Sequence, residues 1–293
     1  MNAENMVIIG AGPSGISTAI QIKRYGINPI ILEKNSVGGL LKNANLVENY
    51  PGFPNGISGL ELTKLLEKHL LNSEVEVHYE RVLKLNFDGK IFHTKTNKRL
   101  ITSKKVVIAS GTTHKKISNI LIPNDSKNKI FYEIHQLLKT KNKKIIIIGA
   151  GDAAFDYALN LEKDNEICIL NRGEISKCIP ILRERAEKSS KIKYYENTFM
   201  TKILNDSENN LLVECRTSGG ISRFSGNYLI FAIGREPQLD FLSDNLKKSA
   251  KEFARKKLLY FVGDVKNEIY RQTSICVGDG VKTAMKIYRD FEG

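Results

Sequence analysis

The chain is poor in paired cysteine, in long apolar runs and in acid. Its four cysteines, Cys168, Cys178, Cys215 and Cys276, lie ten or more positions apart. That spacing excludes a C-x-x-C redox pair and a zinc knuckle. Cys168 and Cys215 sit in the apolar runs EICIL and LLVECR, where a buried, inert thiol is expected. Cys178 follows Lys177, a cation able to lower a thiol pKa, but has no visible partner. No stretch approaches the roughly 18 apolar residues of a membrane span. Val7-Ile8-Ile9 meets Gly10 almost at once, too soon for a signal-peptide core. The expectation is a cytoplasmic protein that neither crosses nor binds a membrane.

The shortage of acid leaves Lys and Arg outnumbering Asp and Glu by 45 to 32, a net charge of +13. The basic residues are scattered, with denser stretches at Lys139–Lys144 and Lys247–Lys257. They are not interleaved with the aromatic residues that a nucleic-acid surface uses for base stacking. Nucleic acid is therefore not the expected partner. The charge suits solvation and the steering of anionic small molecules or an acidic protein. With 293 residues, 41% of them hydrophobic and 26% charged, the composition is that of a folded protein of one large or two medium domains.

Two segments share one pattern. MVIIGAGPSGISTAIQIKRYGINPIILEK reads as a short β-branched strand, a glycine turn, a helix closing near Gly26 and a second strand. KKIIIIGAGDAAFDYALNLEKDNEICILNR repeats that order, so each is predicted to be a βαβ unit. Two strands, KKVVIASGTT and NYLIFAIGREP, end on small residues, which permits close approach of a ligand or a crossing between domains. Residues 118–129 are polar and without period, predicting a loop. The tail predicts a strand, a loop and a helix from about Gly280. No low-complexity linker separates the halves, so the domains are expected to interleave, with crossings near Gly111 and Gly234.

The first turn, Gly10-x-Gly12-Pro13-Ser14-Gly15, follows a strand and opens a helix. The first glycine makes the tight turn, the second lets backbone approach a pyrophosphate, and the third lets helix and strand pack closely. The unpaired N–H groups and the dipole of the helix start favour an anion there. Glu33 closes the next strand, placed to accept from ribose hydroxyls. The second turn, Gly149-Ala150-Gly151-Asp152-Ala153-Ala154, is the G-x-G-x-x-A variant. Arg172 stands where Glu33 stands in the first, with Lys177 nearby; cations there suit a 2′-phosphate and favour NADPH over NADH. The opposite charges at the two ribose positions point to two different dinucleotides. Asp264, after an apolar strand and Gly263, is either an acceptor for a flavin polyol or a strand-ending turn residue.

The motifs IIGAGPSG, Gly38–Leu62 (GG, ENYPGFP, GISG, EL), ASGT, IIGAGDAAFDYAL, FAIGREP and VGDV with YRQTSICVGDG carry a family resemblance. Over essentially its whole length the chain resembles the thioredoxin reductases and their low-molecular-weight flavoprotein relatives. The resemblance implies an α/β protein with two Rossmann-like, three-layer ββα dinucleotide-binding domains. The FAD domain would be 1–113 plus 237–293, with an NAD(P) domain, 114–236, inserted into it. FAD would meet the first glycine turn, Glu33, Gly38, Gly39, Leu40, Asn49, Ala109, Ser110, Gly111, Gly263 and Asp264, with Arg271, Gln272 and Thr273 near the flavin ring. NADPH or NADH would meet Gly149 to Ala154, Arg172, Lys177, Ile233 and Gly234. A homodimer is implied as well.

The chain departs from the family where reductases carry their C-x-x-C pair. Tyr132 and His135 stand about where the two cysteines would be, so the relay to thioredoxin lacks its first acceptor. The H-R-R motif for the 2′-phosphate appears as Asn171-Arg172-Gly173. The expected function is an FAD-dependent NAD(P)H oxidoreductase with another electron acceptor, such as an acidic carrier protein of the ferredoxin type. Relatives without the dithiol include the thioredoxin-reductase-like ferredoxin–NADP reductases, which look longer at the C-terminus. Two other readings are a slowly turning over redox sensor and a disulfide reductase using Cys178 with a distant cysteine. Glu133 and His135 are the nearest candidates for a catalytic acid or base. No metal is expected.

Overall fold

The structure is a computed structural model that describes residues 4–117 and 120–292. The first half contains β1 (Glu4–Ile9), α1 (Pro13–Arg24), β2 (Ile30–Glu33), α2 (Gly59–Asn72), β3 (Val77–Tyr79), β4 (Val82–Phe87), β5 (Phe92–Thr96), β6 (Leu100–Ile108), β7 (Thr112–His114) and β8 (Ile130–Phe131). There follow β9 (Lys144–Ile148), α3 (Asp152–Leu161), β10 (Glu166–Leu170), α4 (Pro180–Lys188), β11 (Ile192–Tyr195), β12 (Phe199–Asn205), β13 (Leu211–Thr217) and β14 (Gly220–Gly226). The chain ends with β15 (Tyr228–Phe231), β16 (Arg235–Pro237), α5 (Asp244–Arg255), β17 (Leu259–Phe261) and α6 (Thr273–Glu292).

These elements form two compact units. The first comprises residues 1–42, 47–113 and 236–293; the second comprises 43–46 and 114–235. The four residues Asn43–Leu46, early in the chain, thus cluster with the second unit.

In the first unit a seven-stranded sheet runs β3-β2-β1-β6-β5-β4, with β17 also paired to β6. β1, β2, β3, β6 and β17 are mutually parallel, while β5 and β4 continue antiparallel. β6 is long enough to carry β5 along its first half and β17 along its second. Side chains in a strand alternate between faces, and β1 divides accordingly. Met6 and Ile8 join the core under α1 and α6, whereas Val7 and Ile9 face Leu85, Phe92 and Leu246 on the other side.

In the second unit five parallel strands run β11-β10-β9-β15-β8, beside an antiparallel sheet β12-β13-β14. Ile145 and Ile147 pack under α3 with Phe155 and Ala158, and Ile146 faces Met200, Val213 and Phe231. Buried on both faces, β9 reads as the unbroken run IIII rather than as an alternating strand. The structure is α/β, with each expected βαβ unit at the core of its own sheet.

Two expectations need correction or restriction. Of the loop expected over 118–129, Ser118 and Asn119 lie outside the described residues, and Asn124–Lys129 forms a 3-10 helix. The last helix begins at Thr273, not near Gly280. The helix therefore runs through both Gly278 and Gly280, and it packs against α1. A Cβ on Gly280 would stand 2.1 Å from Ser17 Oγ and 2.4 Å from the Ser14 carbonyl oxygen. Glycine is there for close approach of two helices.

Among the described residues no helix is long and apolar enough to cross a membrane. Nor does any group of three or more His, Cys, Asp or Glu among them suit a metal ion.

Gly280→Ala is expected to destabilise the protein by about 1–3 kcal/mol through overpacking against α1. Gly278→Ala, whose added Cβ meets nothing within 4 Å, is expected to be neutral or to stabilise by up to about 1 kcal/mol. Thermal unfolding of both variants checks the contrast; equal midpoints would remove the close-approach explanation.

Candidate dinucleotide sites

In the first unit, β1 delivers the chain into the turn at Gly10, whose φ of +105° favours glycine. A Cβ there would lie 2.4 Å from the Ala109 carbonyl oxygen, and one on Gly15 would lie 1.9 Å from the Gly10 carbonyl oxygen. Both glycines are therefore clamped from behind. Gly12 differs: an added Cβ meets nothing within 4 Å. It is the N-cap of α1, and no side chain caps that helix. α2 and α5 are instead capped by the hydroxyls of Ser58 and Ser243, which accept from Glu61 and Leu246 N–H groups. The uncapped start, with open space in front, fits an anionic pyrophosphate.

Other expected flavin residues gather round this turn. The Gly38 N–H donates to the Ala11 carbonyl at 2.8 Å, and a Cβ on Gly39 would sit 3.4 Å from Gly12 Cα. Leu40 continues the short 3-10 turn over Gly39–Asn43. The Ala109 N–H donates to the Ile9 carbonyl at 2.8 Å, and Ser110 Oγ donates to the Gln238 carbonyl at 2.7 Å. Gly111 accepts from the Gln238 N–H at 3.0 Å.

Glu33 is buried and accepts from the Ala11 N–H at 2.9 Å and the Asn35 N–H at 2.8 Å. It thus braces the turn while keeping carboxylate lone pairs. Gly263 meets α1, since its Cβ would fall 2.5 Å from Ser14 Oγ. Asp264 accepts from Cys276 Sγ at 3.1 Å. Asn49 donates to Gln272 at 2.9 Å and accepts from Ser274 Oγ at 3.0 Å, joining the ENYPGFP segment to the start of α6. Arg271 and Thr273 flank Gln272, with Thr273 opening that helix.

One residue missed in the sequence is Asp279, within the quoted VGDG. It accepts from the Gly263 N–H at 3.3 Å and Asn267 at 2.7 Å, and pairs with Lys266 at 3.1 Å. Burial works to raise its pKa, but the Asn267 and Lys266 contacts hold it below the usual carboxylate value. Its sequence signal was the GDG spacing, which does not reveal that Asp279 reaches back to Gly263.

The second unit repeats the cradle. Gly149 has φ +126°, and its Cβ would stand 2.3 Å from the Ala232 carbonyl oxygen, next to Ile233 and Gly234. Gly151 has open space at its Cβ and is the N-cap of α3, again with no side-chain cap. Ala154 is buried in α3. Lys177 donates its backbone N–H to the Ala150 carbonyl at 2.8 Å, which brings the segment after β10 to the turn. Asp152 spends a carboxylate oxygen on the Ile179 N–H at 2.8 Å. Buried Asn171 braces the same segment through Ile175, Tyr194 and Gly173. The side chains of Arg172 and Lys177 are exposed, and neither has a carboxylate partner among the described residues.

Around residues 132–135 the chain forms bends and turns. The Tyr132 ring stacks on His114, with centroids 3.7 Å apart and planes 16° from parallel. The Glu133 carboxylate accepts from Arg235 at 2.5 Å, Asn43 Nδ2 at 2.8 Å and Tyr157 Oη at 3.1 Å. His135 is exposed, and its N–H donates to Asn43 Oδ1 at 3.0 Å. Glu133 and His135 are thus joined through Asn43, and Glu133 is held by three donors. Asp156, on α3, accepts from the Asn45 N–H at 3.0 Å; burial pushes its pKa up to about 6.

All four cysteines are free. Burial pushes the Cys168 thiol up to about 12 and that of Cys215 up to about 11. Cys276 is raised too, by burial and then by Asp264. Such thiols are poor nucleophiles, because the thiolate is the reacting form. Cys178 lies 3.6 Å from Ser176 Oγ.

Comparison with known proteins places these two cradles in context. A sequence model described as pyridine nucleotide-disulphide oxidoreductase matches residues 4–280. The chain is 27% identical to thioredoxin reductase of Mycoplasma genitalium, with 98% of this chain and 95% of that protein covered. The solved thioredoxin reductase of T. acidophilum matches with a TM-score of 0.86 and 27% identity, covering 100% of both chains. That of Lactococcus lactis, in its FR conformation, matches with a TM-score of 0.86 and 25% identity over 98% of each chain. Two glycine-turn cradles, each with its uncapped helix, and a match along nearly the whole chain agree. The chain belongs to the pyridine nucleotide-disulphide oxidoreductase family, in its thioredoxin-reductase-like form, whose enzymes use FAD and NAD(P)H.

Proposed function

We propose that this protein is an FAD-dependent NAD(P)H oxidoreductase that passes electrons to an acceptor without a C-x-x-C relay, an acidic carrier protein such as a ferredoxin. The observation that carries this reading is the segment Tyr132-Glu133-Ile134-His135. It holds no cysteine, and its carboxylate is fastened by Arg235, Asn43 and Tyr157. The raised thiol pKa values of Cys168, Cys215 and Cys276 support it further, as does the net charge of +13, which would steer an acidic carrier.

In this reading residues 1–113 and 237–293 hold FAD and residues 114–236 hold the nicotinamide dinucleotide. When bound, the two cofactors supply the hydride and electron chemistry. The protein binds and orients them. N–H groups at the starts of α1 and α3 take the two pyrophosphates, Glu33 accepts from a ribose, and Asp264 accepts from the flavin polyol. Arg172, with Lys177 beside it, receives a 2′-phosphate, so NADPH is preferred. Glu133 and His135 keep positioning roles round Asn43, with no proton transfer assigned. A homodimer in the cytoplasm belongs to the same reading.

Three measurements test it. Gly12→Val is expected to fold, since an added Cβ meets nothing within 4 Å, and to occupy the proposed pyrophosphate position. The variant is expected to purify folded and colourless; a yellow variant with full flavin content would remove the first cradle from FAD binding.

Arg172→Ala is expected to weaken NADPH by about 10- to 100-fold, the worth of a charge-assisted hydrogen bond, and NADH hardly at all. Equal loss for both cofactors would dismiss the 2′-phosphate contact.

In anaerobic mixing, NADPH is expected to bleach the flavin. Cytochrome c is then reduced when ferredoxin is added, whereas thioredoxin with an aromatic disulfide releases no thiol. Steady thioredoxin reduction would overturn the acceptor assignment, and an unbleached flavin would favour a sensor over an enzyme.

A further inference from the structure

The turn that follows β17 is held from three directions. Ser14, in the first turn of α1, donates its hydroxyl to the Val262 carbonyl at 3.5 Å. Asp279, on α6, accepts from the Gly263 N–H at 3.3 Å. Cys276, one turn earlier on the same helix, donates its thiol to Asp264 Oδ1 at 3.1 Å. The first two contacts fix main chain. The third fixes a side chain, the carboxylate that accepts from the flavin polyol in the proposed reading.

Gly263 makes this arrangement possible. A Cβ there would fall 2.5 Å from Ser14 Oγ and 3.3 Å from Cys276 Sγ, so the turn lies pressed between α1 and α6. Cys276 is buried, whereas Asp264 is half-buried. Burial, and then the Asp264 carboxylate, raise the Cys276 thiol well above its ordinary pKa. The thiol therefore keeps its proton near neutral pH and stays a donor. An S–H group is a weak donor, but an ionised acceptor strengthens the bond, and so does the low dielectric of a buried position.

A buried thiol also serves packing, and Cys276 does fill the space beside Gly263. Packing alone asks for a small apolar side chain and is indifferent to where its end points. Here the S–H meets one carboxylate oxygen, and the Asp264 N–H reaches back to the same sulfur. Main chain and side chain of Asp264 are thus tied to one atom. The outer torsion of an aspartate is broad; tying one oxygen settles it and with it the direction of the other.

We propose that Cys276 is a positioning residue for the flavin, its thiol fixing the Asp264 carboxylate in the orientation that receives the polyol. The thiol touches no reacting atom and undergoes no chemistry in this role. The inference rests on the reading of Asp264 as a polyol acceptor.

The test reads the full chain in two ways. In the infrared, at saturating FAD, the Cys276 S–H stretch is assigned as the band lost in Cys276→Ser. It is expected at low frequency, as for a thiol bonded to a carboxylate, and to move up in Asp264→Asn. Flavin affinity is read from the fluorescence of FAD released on dilution. Cys276→Ala is expected to weaken it by about 3- to 10-fold. Cys276→Ser, which restores a donor of similar size, is expected to stay within about twofold of the native chain. In an Asp264→Ala chain the change of Cys276 to Ala is expected to add less than about twofold, because the group it positions is gone. Equal weakening by Ala and Ser, an undiminished effect in the Asp264→Ala chain, or an S–H band indifferent to Asp264→Asn would each overturn the positioning role. Loss of affinity in Asp264→Ala with none in Cys276→Ala would sink that role alone. An Asp264→Ala chain that holds FAD as tightly as the native one would remove the polyol reading, and the role of Cys276 with it.

Discussion

The close approach of backbone to backbone at the two glycine turns governs the rest of this structure. At Gly10 the Ala109 carbonyl, and at Gly149 the Ala232 carbonyl, leaves no space for a side chain. That contact ties the end of the first strand of each βαβ unit to the end of a neighbouring parallel strand. It also aims the helix start into open space at Gly12 and Gly151. Four N–H groups at a helix start lack internal partners, and here no side chain takes them. In the proposed reading a phosphate site is thus made of main chain alone, and the side chains set which dinucleotide is held.

That division shows in what surrounds each turn. Glu33 is buried, locked to Ala11 and Asn35, and its charge position is determined by the fold. Arg172 and Lys177 are exposed at the corresponding place of the second unit, carried by a segment that Asn171 and the Ala150 carbonyl hold down. A fixed acid and two solvated cations are different instruments. In the proposed reading the first would select hydroxyls by geometry, whereas the second would attract a phosphate through charge and be sensitive to salt.

The segment Tyr132-Glu133-Ile134-His135 contains no cysteine and is nonetheless organised. The Glu133 carboxylate gathers Arg235, Asn43 and Tyr157, while Tyr132 stacks on His114. A half-buried carboxylate with three donors constrains the three chain segments that supply them. Asn43 belongs to the four-residue stretch that clusters with the second unit, so this network engages a distant part of the chain.

The sequence by itself determined the strands and helices of both βαβ units, their glycine turns and the α/β class, because strand and helix periodicities are local and the turn chemistry is written in adjacent residues. It determined equally that no C-x-x-C pair exists. Tertiary structure alone decided that Gly280 lies inside a helix, since a glycine that permits two helices to touch looks in sequence like one that breaks a helix. It alone joined Asp279 to Gly263, Asn49 to Gln272 and Glu133 to Arg235, contacts whose partners are separated by stretches of chain carrying no mutual signal.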